Sequence, residues 1–217
     1  MYFPYTDTET DYLKSRDPKL AEVIDALGHI DREMDDDLFS AVIHHIVAQQ
    51  ISAPALKTVW SRLKDAAGSL TPQSVYNMTI DDLQSCGMTF RKAEYIKDFA
   101  DQVYNGSFDL TEIQEMSDEE AIRKLSSLRG IGVWTAEMIL LFSLGRKNIF
   151  AYDDLAVQRG LRMVYHHRRI DRKLFERYRR RFSPYCSVAS LYLWKVAAGG
   201  IPELKDYAPK KKKRSIR

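Results

Sequence analysis

"LRGIGVWTAEMILL", residues 128–141, decides how this chain is read. Gly130 and Gly132 bracket one isoleucine, and an apolar stretch of helical spacing follows at once. Glycine belongs where the backbone takes dihedrals that a side chain resists, or where another group must come close. Just upstream, "SDEEAIRKL" places Glu120 three residues after Ser117, the pattern of a capping box. The spacing predicts a helix over 117–127, a tight turn, and a second helix over 133–144.

Two helices joined in this way make a helix–hairpin–helix. Small residues at such a turn leave the backbone N–H groups of the second helix open to an anion, and the helix dipole adds favourable partial charge. A DNA phosphate is the obvious anion. The turn residues alone equally fit a plain helix connection closed by a glycine.

Outward from the hairpin, helix dominates. "DPKLAEVIDALG" (17–28) has Leu20, Val23, Ile24 and Leu27 at helical spacing, Asp17 as N-cap, Pro18 in the first turn and Gly28 as a stop. The same period runs through 36–52 and 52–68, the latter starting from Ser52 and Pro54. Shorter helices are expected over 72–78, 79–86, 89–104 and 109–115, and longer ones over 153–165, 171–181 and 184–198. Strand-like alternation and internal repeats are absent.

The bulk numbers suit an ordinary globular protein: 217 residues, 45% hydrophobic and 29% charged. The net charge is +3 and the pI about 8.7, a mildly basic balance that alone says little about partners. Its distribution says more. Residues 1–40 are acidic overall, 159–181 are rich in arginine, and Lys210–Arg214 reads KKKKR, a tail expected to be disordered. The two cysteines, Cys86 and Cys186, lack metal-ligand spacing, which excludes a zinc site or a four-cysteine iron–sulfur cluster. A single disulfide between them is sterically open, but a reduced cytosolic protein is the expectation. No apolar run approaches the roughly 20 residues that span a membrane. The N-terminus lacks the order of a signal peptide.

Downstream, "NIFAYDDLAVQRGLRMVY" (148–165) places Asp153 and Asp154 at the start of another amphipathic helix. One carboxylate there is ordinarily an N-cap. Two in succession allow one to cap and the other to face a cleft. The hairpin "LRGIGVWTA" together with this aspartate resembles the helix–hairpin–helix DNA glycosylase superfamily, in particular its 3-methyladenine DNA glycosylase II branch. "AVIHHIVAQQISAPALKTVWSRL" (41–63) is similar to that family's early helix pair, "CGMTFRKAEYIKDFA" (86–100) to its Gly-x-x-x-x-Lys stretch, and "SPYCSVASLYLWKVA" (183–197) to its Pro-x-Arg-Ser-x-Ala segment. Two positions depart from the pattern: Cys186 stands where the family has arginine, and Phe182 where it often has tryptophan.

The resemblance implies an all-α, two-lobed fold without an N-terminal β domain and with its cleft between the lobes. The lobes would be roughly 30–145, and 1–29 with 146–200, followed by a basic tail over 208–217. It implies a monomeric enzyme that flips and excises alkylated purines from double-stranded DNA, in the cytoplasm of a bacterium. Asp154 aligns with the catalytic aspartate, with Asp153 as the helix-capping or sugar-proximal neighbour. Lyase-competent members carry a lysine two positions after the second hairpin glycine; Trp134 stands there, which implies base release without strand cleavage.

The same alignment suggests a base pocket of Trp134, Met138, Tyr152, Phe182 and Tyr185, though aromatics at helical spacing equally fit core packing. Gln50, with Gln49 and Ser52, would enter the space left by the flipped base. Arg129, Gly130, Ile131, Gly132, Val133 and Thr135 would meet phosphate. The carbonyls of Ser126, Leu128 and Ile131 would hold a Na+ or K+ ion, with no other cofactor. His44 and His45 are expected at a helix surface. Two alternatives stay open on the sequence: a glycosylase for another damaged or deaminated base, and a hairpin protein that binds DNA without catalysis.

Overall fold

The computed structural model describes residues 1–35 and 37–209; the basic run Lys210–Arg214 lies outside them. Among the described residues the secondary structure is helical. The helices are α1 (Asp7–Arg16), α2 (Pro18–Leu27), α3 (Leu38–Ala48), α4 (Ala53–Ala67), α5 (Pro72–Tyr76), α6 (Ile80–Ser85), α7 (Phe90–Tyr104), α8 (Leu110–Glu115), α9 (Asp118–Ser126), α10 (Val133–Leu144), α11 (Leu155–Tyr165), α12 (Arg172–Phe182) and α13 (Cys186–Ala197). No described helix is long and apolar enough to cross a membrane.

The chain forms two compact units. Unit 1 takes Met1 and residues 33–145; unit 2 takes residues 2–32 and the chain from 146 onward.

In unit 1, seven successive helices start alike. Asp37, Ser52, Thr71, Thr79, Thr89, Asp109 and Ser117 each cap the helix that follows, accepting a backbone N–H on a side-chain oxygen. Below these caps lies an aromatic and aliphatic core. Phe39 stacks on Phe99 with centroids 5.2 Å apart, Phe108 meets Phe99 edge-on, and Ile43, Ile46, Leu63, Leu83 and Ile96 are fully buried around them. The helical period over 36–52 stops earlier than expected, at Ala48, because Gln49 turns to an extended ψ of 127°, and Gln50 after it adopts a left-handed conformation.

In unit 2, α11 packs on α13 at very short range. A Cβ at Gly160 would stand 2.4 Å from the Leu193 carbonyl oxygen, so only glycine permits this approach. Phe150 stacks on Phe175 at 4.4 Å. Two buried acids are compensated. Asp17 caps α2 and accepts Arg181 Nη1 at 2.5 Å. Glu9 accepts Lys147 Nζ at 2.5 Å and the Thr6 N–H at 2.8 Å. Burial alone would raise the Glu9 carboxyl, but these hydrogen bonds outweigh it and hold the pKa at about 2.

The sequence reading left α1 out. This helix has one buried apolar residue, Leu13, and no apolar stripe; the Thr6–Glu9 capping box starts it. Both cysteines are buried free thiols, and burial pushes Cys186 up to about 12, far from a reactive thiolate.

Candidate active site and nucleic-acid interface

In unit 1 the hairpin is built as the spacing predicts. After α9 the Leu128 N–H donates to Leu125 and the Ile131 N–H to Leu128, each at 3.1 Å. Gly130 takes φ +85°, a left-handed value that a side chain resists. Gly132 holds the N-cap position of α10 in extended backbone and provides no side-chain cap, unlike the residues that start α3 to α9. A Cβ at Gly132 would meet nothing within 4 Å, so this helix start is open. Arg129 and Val133 are exposed beside it, whereas Ile131 and Thr135 are largely enclosed. What this turn offers to solvent is therefore backbone N–H plus the Arg129 side chain, with little from the side chains of Ile131 and Thr135.

The turn between α3 and α4 lies against the hairpin. Gln49 Nε2 donates to the Gly130 carbonyl at 2.7 Å. Gln50 is exposed with φ 53°, one of two described non-glycine residues at positive φ. Such a conformation costs of order 1–3 kcal/mol, persists only where the surroundings impose it, and clusters at functional sites. Ser52 Oγ accepts the Ala55 N–H at 3.4 Å. The three residues grouped from sequence thus divide: Gln50 is presented, Gln49 is tied down, and Ser52 caps a helix.

In unit 2, Asp154 is 7% exposed and Asp153 is exposed. Asp154, rather than Asp153 as expected, is the N-cap of α11, because its Oδ1 lies within reach of the N–H groups of Ala156 and Val157 and accepts both at 2.8 Å. These bonds fix the plane of the carboxylate. The lead-in segment is held by Ser187. Its Oγ donates to the Arg146 carbonyl at 2.5 Å and accepts the Ile149 N–H at 3.0 Å, and its own N–H donates to Lys147 O. Ile149, Phe150 and Ala151 are buried between these anchors and Asp154.

The five aromatic and methionine positions also separate. Trp134, at the second residue of α10, is 43% exposed, which removes simple core packing as its explanation. Tyr152 is half-buried, with the Arg172 guanidinium 4.8 Å from its ring centroid and Phe175 edge-on. Tyr185 is half-buried and meets Tyr12 edge-on at 5.2 Å. Met138 is buried in unit 1. Phe182 has no exposed surface; it stacks on Tyr178 and meets Phe150 edge-on, so no free face remains for a base. The period of α12 carries a signal for this, since Phe175, Tyr178 and Phe182 recur at three- and four-residue steps.

Several contributors escaped the sequence reading. Leu155, directly after Asp154, is 79% exposed. Ser187 and Tyr95 act through contacts that join distant stretches of chain, for which local spacing carries no signal. Lys92 stands out in sequence only as the lysine of the Gly87–Lys92 motif, and its contact with the end of α3 has no local signal either. His44 and His45 are half-buried rather than at an open surface, and His44 packs edge-on against Trp60 at 4.7 Å. Among the described residues no group of three or more His, Cys, Asp or Glu side chains is arranged to hold a metal ion.

An uncapped hairpin opening onto solvent, followed along the chain by a helix-capping aspartate, defines a class: helix–hairpin–helix proteins of DNA repair. The chain belongs to the HhH-GPD superfamily of base excision DNA repair proteins, whose family model matches residues 43–184. It is 29% identical over 174 residues to DNA-3-methyladenine glycosylase 1 of Schizosaccharomyces pombe, covering 78% of this chain and 74% of that protein. The crystal structure of a DNA-3-methyladenine glycosidase from Bacillus halodurans superimposes with a TM-score of 0.85 at 31% identity, over 95% of this chain and 97% of that one. The S. pombe 3-methyladenine DNA glycosylase Mag1, solved in complex with abasic DNA, superimposes with a TM-score of 0.76 at 26% identity, over 88% of this chain and 97% of that one.

Proposed function

We propose that this protein is a monofunctional DNA N-glycosylase that releases alkylated purines, of the 3-methyladenine and 7-methylguanine type, from double-stranded DNA. The observation that carries the reading is Asp154: a buried carboxylate, fixed by two backbone N–H groups, at the start of α11. Breaking an N-glycosidic bond places positive charge on the sugar. A preorganised carboxylate stabilises that charge and orients the attacking water. The target base must first leave the stack. Gln50 is the exposed amide that fills the gap and hydrogen-bonds the widowed base. An alkylated purine carries its own positive charge and departs without protonation. The half-exposed Trp134 indole provides an electron-rich face for such a cation.

Trp134 also bears on the outcome. With no amine at that position, no Schiff base forms there, and an abasic site with an intact strand is the product. An alkali cation at the hairpin would be held by the carbonyls of Ser126, Leu128 and Ile131 and would add positive charge for a DNA phosphate. The oxygen donors fit. The Leu128 carbonyl accepts one N–H and keeps a second lone pair for such an ion. The enzyme acts as a monomer in this reading.

The deciding experiment is base release from a panel of duplexes with one lesion each, run with and without later alkali. Release of alkylated purines, with strand breaks only after alkali, supports the reading. Preference for an oxidised or deaminated base would replace the substrate class, and binding without release would leave a hairpin DNA-binding protein.

A further inference from the structure

Lys92 and Tyr95 lie three residues apart on α7 and share a face of that helix. Each touches a different functional turn. Lys92 Nζ donates to the carbonyls of Val47 at 2.8 Å and Gln49 at 2.5 Å, at the end of α3. The Tyr95 ring fills the space beside Gly130, and the Arg129 guanidinium lies 5.4 Å from its centroid. Gln49 closes the circuit with its bond to the Gly130 carbonyl at 2.7 Å. Gln50 follows immediately, exposed and left-handed.

This is an unusual use of a lysine. Water or a small side chain ends most helices; here a half-buried ammonium does so, with carbonyl oxygens as its hydrogen-bond partners. Burial lowers its pKa, which measures what the arrangement costs. The negative end of the α3 dipole offsets part of that cost. In return, the direction of the peptide groups on either side of residue 48 is set, and with it the strained backbone at Gln50.

We propose that Lys92 and Gln49 are positioning residues that hold the Gln50 turn in its inserting conformation and join it to the hairpin, so that phosphate capture and insertion into the duplex act as one rigid piece. The proposal rests on the base-flipping reading above. It assigns no chemistry to Lys92; the residue works through Gln50.

The test compares single-turnover base release from a paired lesion with release from the same lesion in a single-base bulge, where no partner strand resists extrusion. Lys92→Met should slow release from the paired lesion about tenfold, a loss of preorganisation alone. On the bulge the deficit should shrink to about twofold or less, because little insertion work remains. Lys92→Arg, which keeps charge and donors, should recover most of the rate. In a Gln50→Ala background, Lys92→Met should add nothing, since both act through one element. Should Lys92→Met fail to fold, Gln49→Leu removes the side-chain link to Gly130 while leaving the Gln49 carbonyl to Lys92, and it should show the same pattern.

An equal deficit on both substrates, or effects that simply add to Gln50→Ala, would overturn the proposal. Fluorescence of 2-aminopurine opposite the lesion reads unstacking without chemistry. It decides the coupling even if the wild-type protein releases no base, an outcome that would instead defeat the proposed function.

Discussion

The ring of Tyr95 stands where residue 130 would carry its side chain: a Cβ on Gly130 would lie 2.3 Å from Cδ2 and 2.7 Å from Cε2. Two residues on, a Cβ at Gly132 would meet nothing within 4 Å. The paired glycines of the hairpin therefore answer different demands. Gly130 is required by the protein's own packing and by its positive φ. Gly132 is in extended backbone that any residue adopts, so the chain's own packing does not require its small size.

Gly130→Ala is expected to destabilise the protein by about 2–4 kcal/mol, the sum of a left-handed backbone penalty and overpacking against an aromatic ring. Thermal or urea unfolding measures it. Gly132→Val should leave unfolding nearly unchanged and weaken binding to all duplexes alike, because phosphate contacts carry no sequence information. Binding constants over a salt series check this; a valine variant that binds like the wild type throughout would reduce the hairpin to a structural connection.

Asp154→Asn should keep the fold and DNA affinity while losing most base release. Asparagine caps helices about as well as aspartate, so the change removes charge and little else. Asp154→Ala loses the cap too and should cost about 1 kcal/mol more in stability. Asp153→Asn, on an exposed neighbour, should behave like the wild type. Release assays paired with melting curves separate the two losses, and normal release by Asp154→Asn beside a dead Asp153→Asn would move the catalytic assignment by one residue.

Borohydride added during turnover on lesion duplex should trap no protein–DNA adduct, given an indole where the lyase amine would stand. Denaturing gels reveal such an adduct directly. A trapped species would overturn the proposed monofunctional reading and direct attention to another amine.

Acid should weaken the fold in two separate windows. Burial first, and the neighbouring His44 second, lower the His45 pKa from 6.5 to about 4. The unfolded chain therefore binds the proton more readily than the folded one. The associated stability is complete above about pH 6.5 and fades as pH falls toward 4, by at most about 3 kcal/mol. Glu9, held at about 2, gives a second loss as pH falls below its ordinary value of 4.5. Urea midpoints from pH 8 to 3 should show both losses. His45→Phe should reduce the upper one and leave the lower, the remainder of the upper coming from His167, whose pKa burial also lowers.

The hairpin and most of the helix starts were legible because each rests on a local rule: glycine in a tight turn, a short polar cap, a period of 3.6. At α11 the rule offered two neighbouring aspartates, and the cap falls on Asp154 rather than Asp153. Ser52, Thr71, Thr79 and Ser117 announce their helices in this way. The α1 helix carries a similar cue, Thr6 followed by Glu9, yet it went unread because no apolar stripe accompanies it. Legibility ended where a residue's role depends on a partner far along the chain. Nothing near Lys92 says that its ammonium ends α3, and nothing near Gly130 says that a tyrosine fills its vacant side. Phe182 marks the converse limit: an aromatic in a recognisable motif position proved to be core, because the stacking of Tyr178 and Phe150 encloses it.

Unit 2 is discontinuous in sequence, and that has a consequence for how the molecule is made. Its α1 and α2 are synthesised before all of residues 33–145, yet their partners come after them. Until Lys147 and Arg181 exist, Glu9 and Asp17 lack the cations that they meet in the fold. Unit 1, drawn almost entirely from one uninterrupted stretch, closes its contacts over shorter loops. During synthesis it can condense while the first helices wait. The segment that carries Asp154 then supplies the partners that α1 and α2 await, so the unit that holds the proposed catalytic carboxylate is the last to assemble.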